Sequence, residues 1–179
     1  MLARQTGTNL TEIETAGIDV KTFWRVLSQR ATGMTVVTGR DHTGPVGFLG
    51  LSAAHVTADP PTMLVSIDEK TSALTGILSH RCFAINYLPA NAGSLANEFS
   101  GRGGLTGAGR FADGEWVTLT SGAPILKTAL GVFDCLVEDV IDRGAVSIVI
   151  GRVVTVATND GEPLIFFRGK TWVGVGSPT

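Results

Sequence analysis

The chain has 179 residues, 14 Lys and Arg against 16 Asp and Glu, and a net charge of −2. That length fits one domain with a substantial core, and a near-neutral charge without a basic run excludes a nucleic-acid or anionic-membrane binder. Hydrophobic residues make up 44% and charged residues 17%, with a mean hydropathy of +0.26, a balance that predicts apolar surface covered by a second copy of the chain.

Residues 1–17 show no periodicity and are expected to form a flexible arm, leaving 18–176 as the single domain. Asp19 predicts the cap of a helix reaching about Arg30, with Val20, Phe23, Leu27 and Trp24 on one face. Residues 34–38 are short and β-branched, residues 41–44 supply a turn, and a strand follows over 47–57. Pro60-Pro61 turns the chain into a second strand over 62–67. In this pair Gly50, Ser52, Ala53, Ala54 and Thr57 stand where a buried strand carries bulk, so a ligand can approach the backbone.

Thr71 or Ser72 opens a helix ending near His80. A strand over 82–88, a helix over 90–99 and a glycine-rich loop over 100–109 come next. Residues 132–142 read as a strand with Phe133, Cys135 and Val137 opposed to Asp134 and Glu138. A turn at Arg143-Gly144 leads to a strand over 145–157, where Gly151 predicts a bulge. Residues 163–168 and 171–175 form a hairpin around Gly169. Strands outnumber helices and the helices are too few to cover a parallel sheet. The expected fold is therefore mainly β, an antiparallel barrel with peripheral helices.

His42, His55 and His80 share no ligand spacing, and no nucleophile elbow, nucleotide-hydrolase loop or dinucleotide fingerprint is present. No metal site and no catalytic dyad is expected. Cys82 and Cys135 lie far apart in apolar strands and read as buried free thiols. No apolar run reaches the roughly 18–20 residues of a membrane helix, and the start of the chain lacks a signal-peptide centre, so a cytoplasmic location is expected. One combination remains. Lys70, Thr71 and Ser72 converge on a helix start, which reads either as a phosphate seat or as a capped surface helix.

Taken in order along the chain, a further set of residues resembles the flavin reductase-like, FMN-binding split-barrel family, which includes the reductase components of two-component flavin monooxygenases. The set comprises Phe23 with residues 31–38 (ATGMTVVT), Gly47 with Ser52, Val56 and Asp59-Pro60-Pro61, then Ser72 and residues 83–88 (FAINYL). It continues with Phe99-Ser100, Arg110-Phe111, residues 122–126 (GAPIL), Cys135, Gly144, Gly151-Arg152-Val153 and Pro163-Leu164. The resemblance spans about residues 20–172. It implies a homodimeric split barrel that binds FMN or FAD near the subunit interface and reduces it with NADH or NADPH, serving a separate flavin-dependent monooxygenase.

By the same resemblance, Leu49, Ser52, Ala53 and Ala54 would hold the flavin ring and ribityl edge, and Lys70, Thr71 and Ser72 would face its phosphate. Asn86 would stand near the flavin, while Phe99, Ser100, Arg110 and Phe111 would close over the phosphate end, and Trp172 could stack on a ring. Hydride passes between stacked rings in such enzymes, so no side chain is assigned as catalytic. This chain departs from the family pattern at Val146, where many members carry histidine, at Trp172-Val173, which replace a Tyr-His pair, and at Leu49 and Leu51, often Thr and Asn. Those departures leave two rival readings open: a tightly bound flavin that reduces another acceptor such as a corrinoid or quinone, or a non-catalytic flavin-binding module.

Overall fold

The computed structural model of the protein describes residues 18–176; the arm expected over 1–17 lies outside them. Asp19 accepts the Thr22 amide at 2.6 Å and opens α1 (Val20–Leu27). The chain then forms β1 (Thr32–Gly33), β2 (Thr35–Asp41), β3 (Gly44–Leu49), β4 (Ala54–Ala58) and β5 (Pro61–Asp68). Next come α2 (Ala73–His80), β6 (Cys82–Tyr87), α3 (Gly93–Phe99) and a single 3-10 turn at Gly107–Phe111. The remainder is β7 (Trp116–Thr118), β8 (Pro124–Leu126), β9 (Gly131–Asp142), β10 (Val146–Thr158), β11 (Leu164–Phe167) and β12 (Lys170–Val173).

Seven strands pair antiparallel in the order β3-β2-β6-β9-β10-β5-β4. Consecutive strands β3 and β4 thus lie at opposite edges of one sheet, and the short connector 50–53 has to cross between them. Its Gly50 amide donates to Thr35 on the β2 side at 2.9 Å, and the Thr35 hydroxyl donates back to the Gly50 carbonyl. On the β5 side the Ser52 hydroxyl donates to the Ser66 carbonyl at 2.9 Å and accepts the Ser66 amide at 3.1 Å. A sheet whose edges are joined by a connector and not by a ladder is a split barrel, as expected. The single strand expected over 47–57 is corrected here: it breaks at the connector because the backbone groups of residues 50–53 serve this crossing.

Two apolar layers flank the sheet. Val37, Val65, Ile67, Phe83, Ile85, Cys135 and Val149 fill one, with Ala73, Leu74 and Ile77 of α2. Met34, Val36, Ala84 and Val132 face the other, beneath Leu95, Ala96 and Phe99 of α3, Ile125 and Leu126 of β8, and Leu164 of β11. Because both faces are covered, the alternation expected along β9 is only half right: Phe133 is partly exposed and Asp134 is fully buried. The bulge expected at Gly151 is present, as a register shift after Ile150. Any side chain there would meet the Phe83 ring at 2.5 Å.

Three further features emerge. The apolar face of α1 is left exposed: Val20, Phe23, Trp24 and Leu27 are 40 to 73% exposed. The helix touches the rest of the chain mainly beyond its end, where Ser28 and Gln29 accept from the Arg168 amide and guanidinium at 3.0 and 2.8 Å. α3 begins at Gly93 instead of residue 90, because the Ala90 amide is taken by the Glu162 carbonyl at 2.7 Å. The β7–β8 hairpin stands in a stretch to which no element was assigned. Both cysteines are free and buried, and burial pushes the Cys135 thiol up to about 12, so it stays protonated in ordinary solution. No helix among the described residues is long and apolar enough to cross a membrane.

Candidate functional site

The connector that closes the barrel also floors its clefts. One cleft, of about 540 Å³, opens along the seam between residues 30–33 and the connector, with Ala53, Ala54 and His55 on one wall and Tyr87 and Phe133 on the other. Tyr87 and Phe133 meet edge to face at 6.2 Å, and burial raises the Tyr87 phenol above its ordinary value, keeping it a neutral hydroxyl. A second cleft, of about 300 Å³, lies between the connector, α3 and the β11–β12 hairpin. Leu51 lines both clefts, and it is the one residue common to their walls.

Side chains pin the glycine-rich loop beside the second cleft at Leu105. Leu105 donates its amide to the Glu98 carboxylate at 3.1 Å, and its carbonyl accepts from the Arg110 guanidinium at 3.0 Å. Gly101, Gly104 and Gly107 take positive φ values of 80°, 97° and 51°, the left-handed region in which glycine is the default residue. Beneath the loop, Phe111 packs edge to face on both Phe99 and Trp116, which tilt against each other, with centroids 4.8 to 5.8 Å apart. A side chain at Gly47 would collide with this cluster, meeting Phe99 at 2.8 Å.

The structure brings some of the sequence-derived candidates together and separates others. Ala53 and Ala54 line the first cleft; Leu49 and Ser100 line the second. Ser52 lies between them, with its hydroxyl committed to Ser66. Lys70, Thr71 and Ser72 occupy the turn after β5, with the Lys70 and Thr71 amides held by Asp68 at 2.8 Å. Ser72 makes no side-chain cap on α2. Trp172 is 52% exposed and donates its indole N–H to Phe167 at 3.2 Å.

Asn86 is the clearest separation. Its amide donates to the Val36 carbonyl at 3.1 Å and to Thr38 Oγ1 at 3.3 Å, and its oxygen accepts the Leu126 amide at 2.8 Å. With no exposed surface, that side chain ties the barrel wall to β8 and presents nothing to a cleft. Phe99 is likewise buried, and the Arg110 guanidinium serves the loop backbone. Among the described residues, no group of three or more His, Cys, Asp or Glu side chains is placed to hold a metal.

Sequence reasoning missed Arg30, His55, Tyr87 and Phe133 in the first cleft and Asn97 and Arg102 in the second. Arg102 had a signal: it is the only charged residue in a run of glycines. Tyr87 and Phe133 had none, since an aromatic residue on an alternating strand reads equally as core.

Comparison with known proteins shows the family. Residues 27–172 match the family model described as a flavin reductase like domain. An FMN reductase (NADH) RutF from Ancylobacter novellus is 30% identical over 172 residues, covering 96% of this chain and 94% of its own length. The reductase subunit HsaB of a flavin-dependent monooxygenase from Rhodococcus jostii is 32% identical, covering 86% and 77%. Among solved structures, a nitrilotriacetate monooxygenase component B homolog from Mycobacterium thermoresistibile superposes with a TM-score of 0.80 at 30% identity, over 90% of this chain and 92% of its own.

Proposed function

The chain belongs to the flavin reductase-like family, and from that premise we propose that it is an NAD(P)H:flavin oxidoreductase supplying reduced FMN or FAD to a separate monooxygenase component in the cytoplasm. The observation that carries this reading is the cleft of about 540 Å³ along the barrel seam, whose lining joins apolar surface to a few polar edges, as a flat, polar-edged ring requires. Bound flavin supplies the chemistry, accepting a hydride at its ring and carrying two electrons onward. The protein's share is alignment and exclusion of water.

The first cleft fits the flavin ring. Its walls offer apolar surface from Leu51, Ala53, Ala54, Met63 and Phe133 and polar edges from Thr32, His55 and Tyr87. Lys70, Thr71 and Ser72, in the turn after the strand that Ser52 grips, receive the phosphate. No acid or base is needed for a hydride passed between stacked rings. The exposed apolar side of α1, with Val156 at 58% and Val173 at 66% exposure, supports a homodimer that covers this surface. Sedimentation is expected to give twice the 18.7 kDa of one chain.

Purified protein mixed with NADH or NADPH and then FMN or FAD is expected to oxidise the nicotinamide, read at its absorbance band, well above the uncatalysed rate. Oxidation that does not depend on added flavin, accompanied by flavin that survives gel filtration, would favour the bound-flavin reading. Tight flavin binding with no nicotinamide oxidation would leave only the binding module.

A further inference from the structure

We propose that His42 and His80 form a surface site for a divalent transition cation of the copper, nickel or zinc class. Far apart in the chain and without ligand spacing, the two imidazoles meet because α2 lies directly on the β2–β3 hairpin. Gly76 permits that approach: a Cβ there would stand 2.9 Å from the Arg40 carbonyl and 3.0 Å from the Asp41 Cβ. The last turn of α2, which carries His80, therefore ends beside the turn that carries His42. Neither histidine lines either cleft, so the site is separate from the flavin reading.

The ring centroids are 5.0 Å apart, with planes at 61°. A metal bound about 2.0–2.1 Å from an imidazole nitrogen lies about 3.2 Å from the ring centroid, and two such rings at a tetrahedral angle have centroids about 5.2 Å apart. The observed spacing suits one shared ion. His80 Nδ1 lies 3.3 Å from the Gly76 carbonyl, which can only accept, so Nδ1 carries the hydrogen and the neutral ring keeps its lone pair on Nε2. The turn under His42 is braced as well. Asp41 accepts the Thr43 amide and hydroxyl, both at 2.7 Å, and the Gly44 amide at 3.1 Å. Neighbouring cations are turned elsewhere: Arg81 donates to the Val137 and Glu138 carbonyls at 2.8 and 3.1 Å, and the Arg40 guanidinium lies 3.6 Å from the Cβ position of Gly122. With His42 exposed and His80 half-buried, water completes the coordination sphere. The ion is thus exchangeable, and while bound it ties the end of α2 to the hairpin.

The test titrates the chelator-stripped full chain with Cu(II), Ni(II), Zn(II) and Mg(II) by calorimetry, comparing wild type with H42Q, H80Q and H55Q. Wild type is expected to bind one ion per chain, Cu(II) more tightly than Ni(II) or Zn(II), and to leave Mg(II) unbound. Removing either member of the pair destroys the chelate and is expected to weaken binding about 100-fold. H55Q removes the one histidine outside the pair and is expected to bind as wild type does. Electron paramagnetic resonance of the Cu(II) form is expected to show two coupled imidazole nitrogens in wild type and at most one in H42Q or H80Q. Zn(II) at about 100 times its Kd is expected to raise Tm by about 5–10 °C in wild type and not in the two variants. No binding, binding that survives both substitutions, or a loss confined to one of them would each overturn the site.

Discussion

Asp134→Ala is expected to cost about 3 kcal/mol of stability, lowering Tm by roughly 6–12 °C for a domain of this size. Asp134 lies on β9 with no exposed surface, on the covered face of the sheet. Its carboxyl accepts the Ser121 amide at 2.8 Å and the Ser121 hydroxyl on its other oxygen. Ser121 in turn caps the Ala123 amide at 3.1 Å, and Gly122 completes the tight turn with φ at +82°. Alanine would leave a half-buried amide and hydroxyl without their acceptor, and the turn that delivers β8 would lose its hold on the barrel. Asp134→Asn separates this from simple volume. Its carbonyl can take the amide while its NH₂ donates to the Ser121 oxygen, so the expected cost is about 1 kcal/mol or less. Thermal or urea melts of the two variants decide the matter; equal stability of Asp134→Ala and wild type would refute the account.

That carboxyl also shows where legibility ended. A strand with polar and apolar residues alternating reads as half solvated, so Asp134 was read as opposed to an apolar face. What the alternation could not announce is a second cover, built from the three-residue strands β7 and β8 and from α3, which buries the polar face as well. The long strands, the bulge at Gly151 and the helix after Ser72 were legible because period, a missing side chain and a change to helical spacing are local signals. The partition of residues 47–57 was not. Its break depends on β3 and β4 reaching opposite edges of the sheet, a fact of topology and not of composition. The small residues of the connector did mark the site, since the first cleft runs along them. Asn86 and Arg110 were misleading for a shared reason: a polar group in an apolar or glycine-rich stretch signals an obligation to hydrogen-bond, and here the partners are the protein's own backbone.

Asn86→Leu is expected to be the most damaging single change among those considered, at about 3–4 kcal/mol. The substitution keeps the branched shape, adds bulk, and removes both ends of an amide that bridges three elements. The Leu126 amide loses its acceptor in a place where Leu126 itself is 2% exposed, and the Val36 carbonyl and Thr38 hydroxyl lose a donor. Thr38 still reaches the Pro124 carbonyl at 2.5 Å, so β8 keeps one tie to β2 while losing its tie to β6. The consequence extends outward. β8 pairs with β7, which carries Trp116, and Trp116 packs on Phe99 and Phe111 beneath the loop that holds Arg102. Loosening β8 should therefore lower Tm, while the cleft proposed for flavin, built on the connector at the barrel seam, retains its Kd. That Kd is measured at low temperature, where the variant remains folded, beside the denaturation curve. If Asn86 instead touched flavin, the order would reverse, with flavin Kd rising sharply and stability little changed.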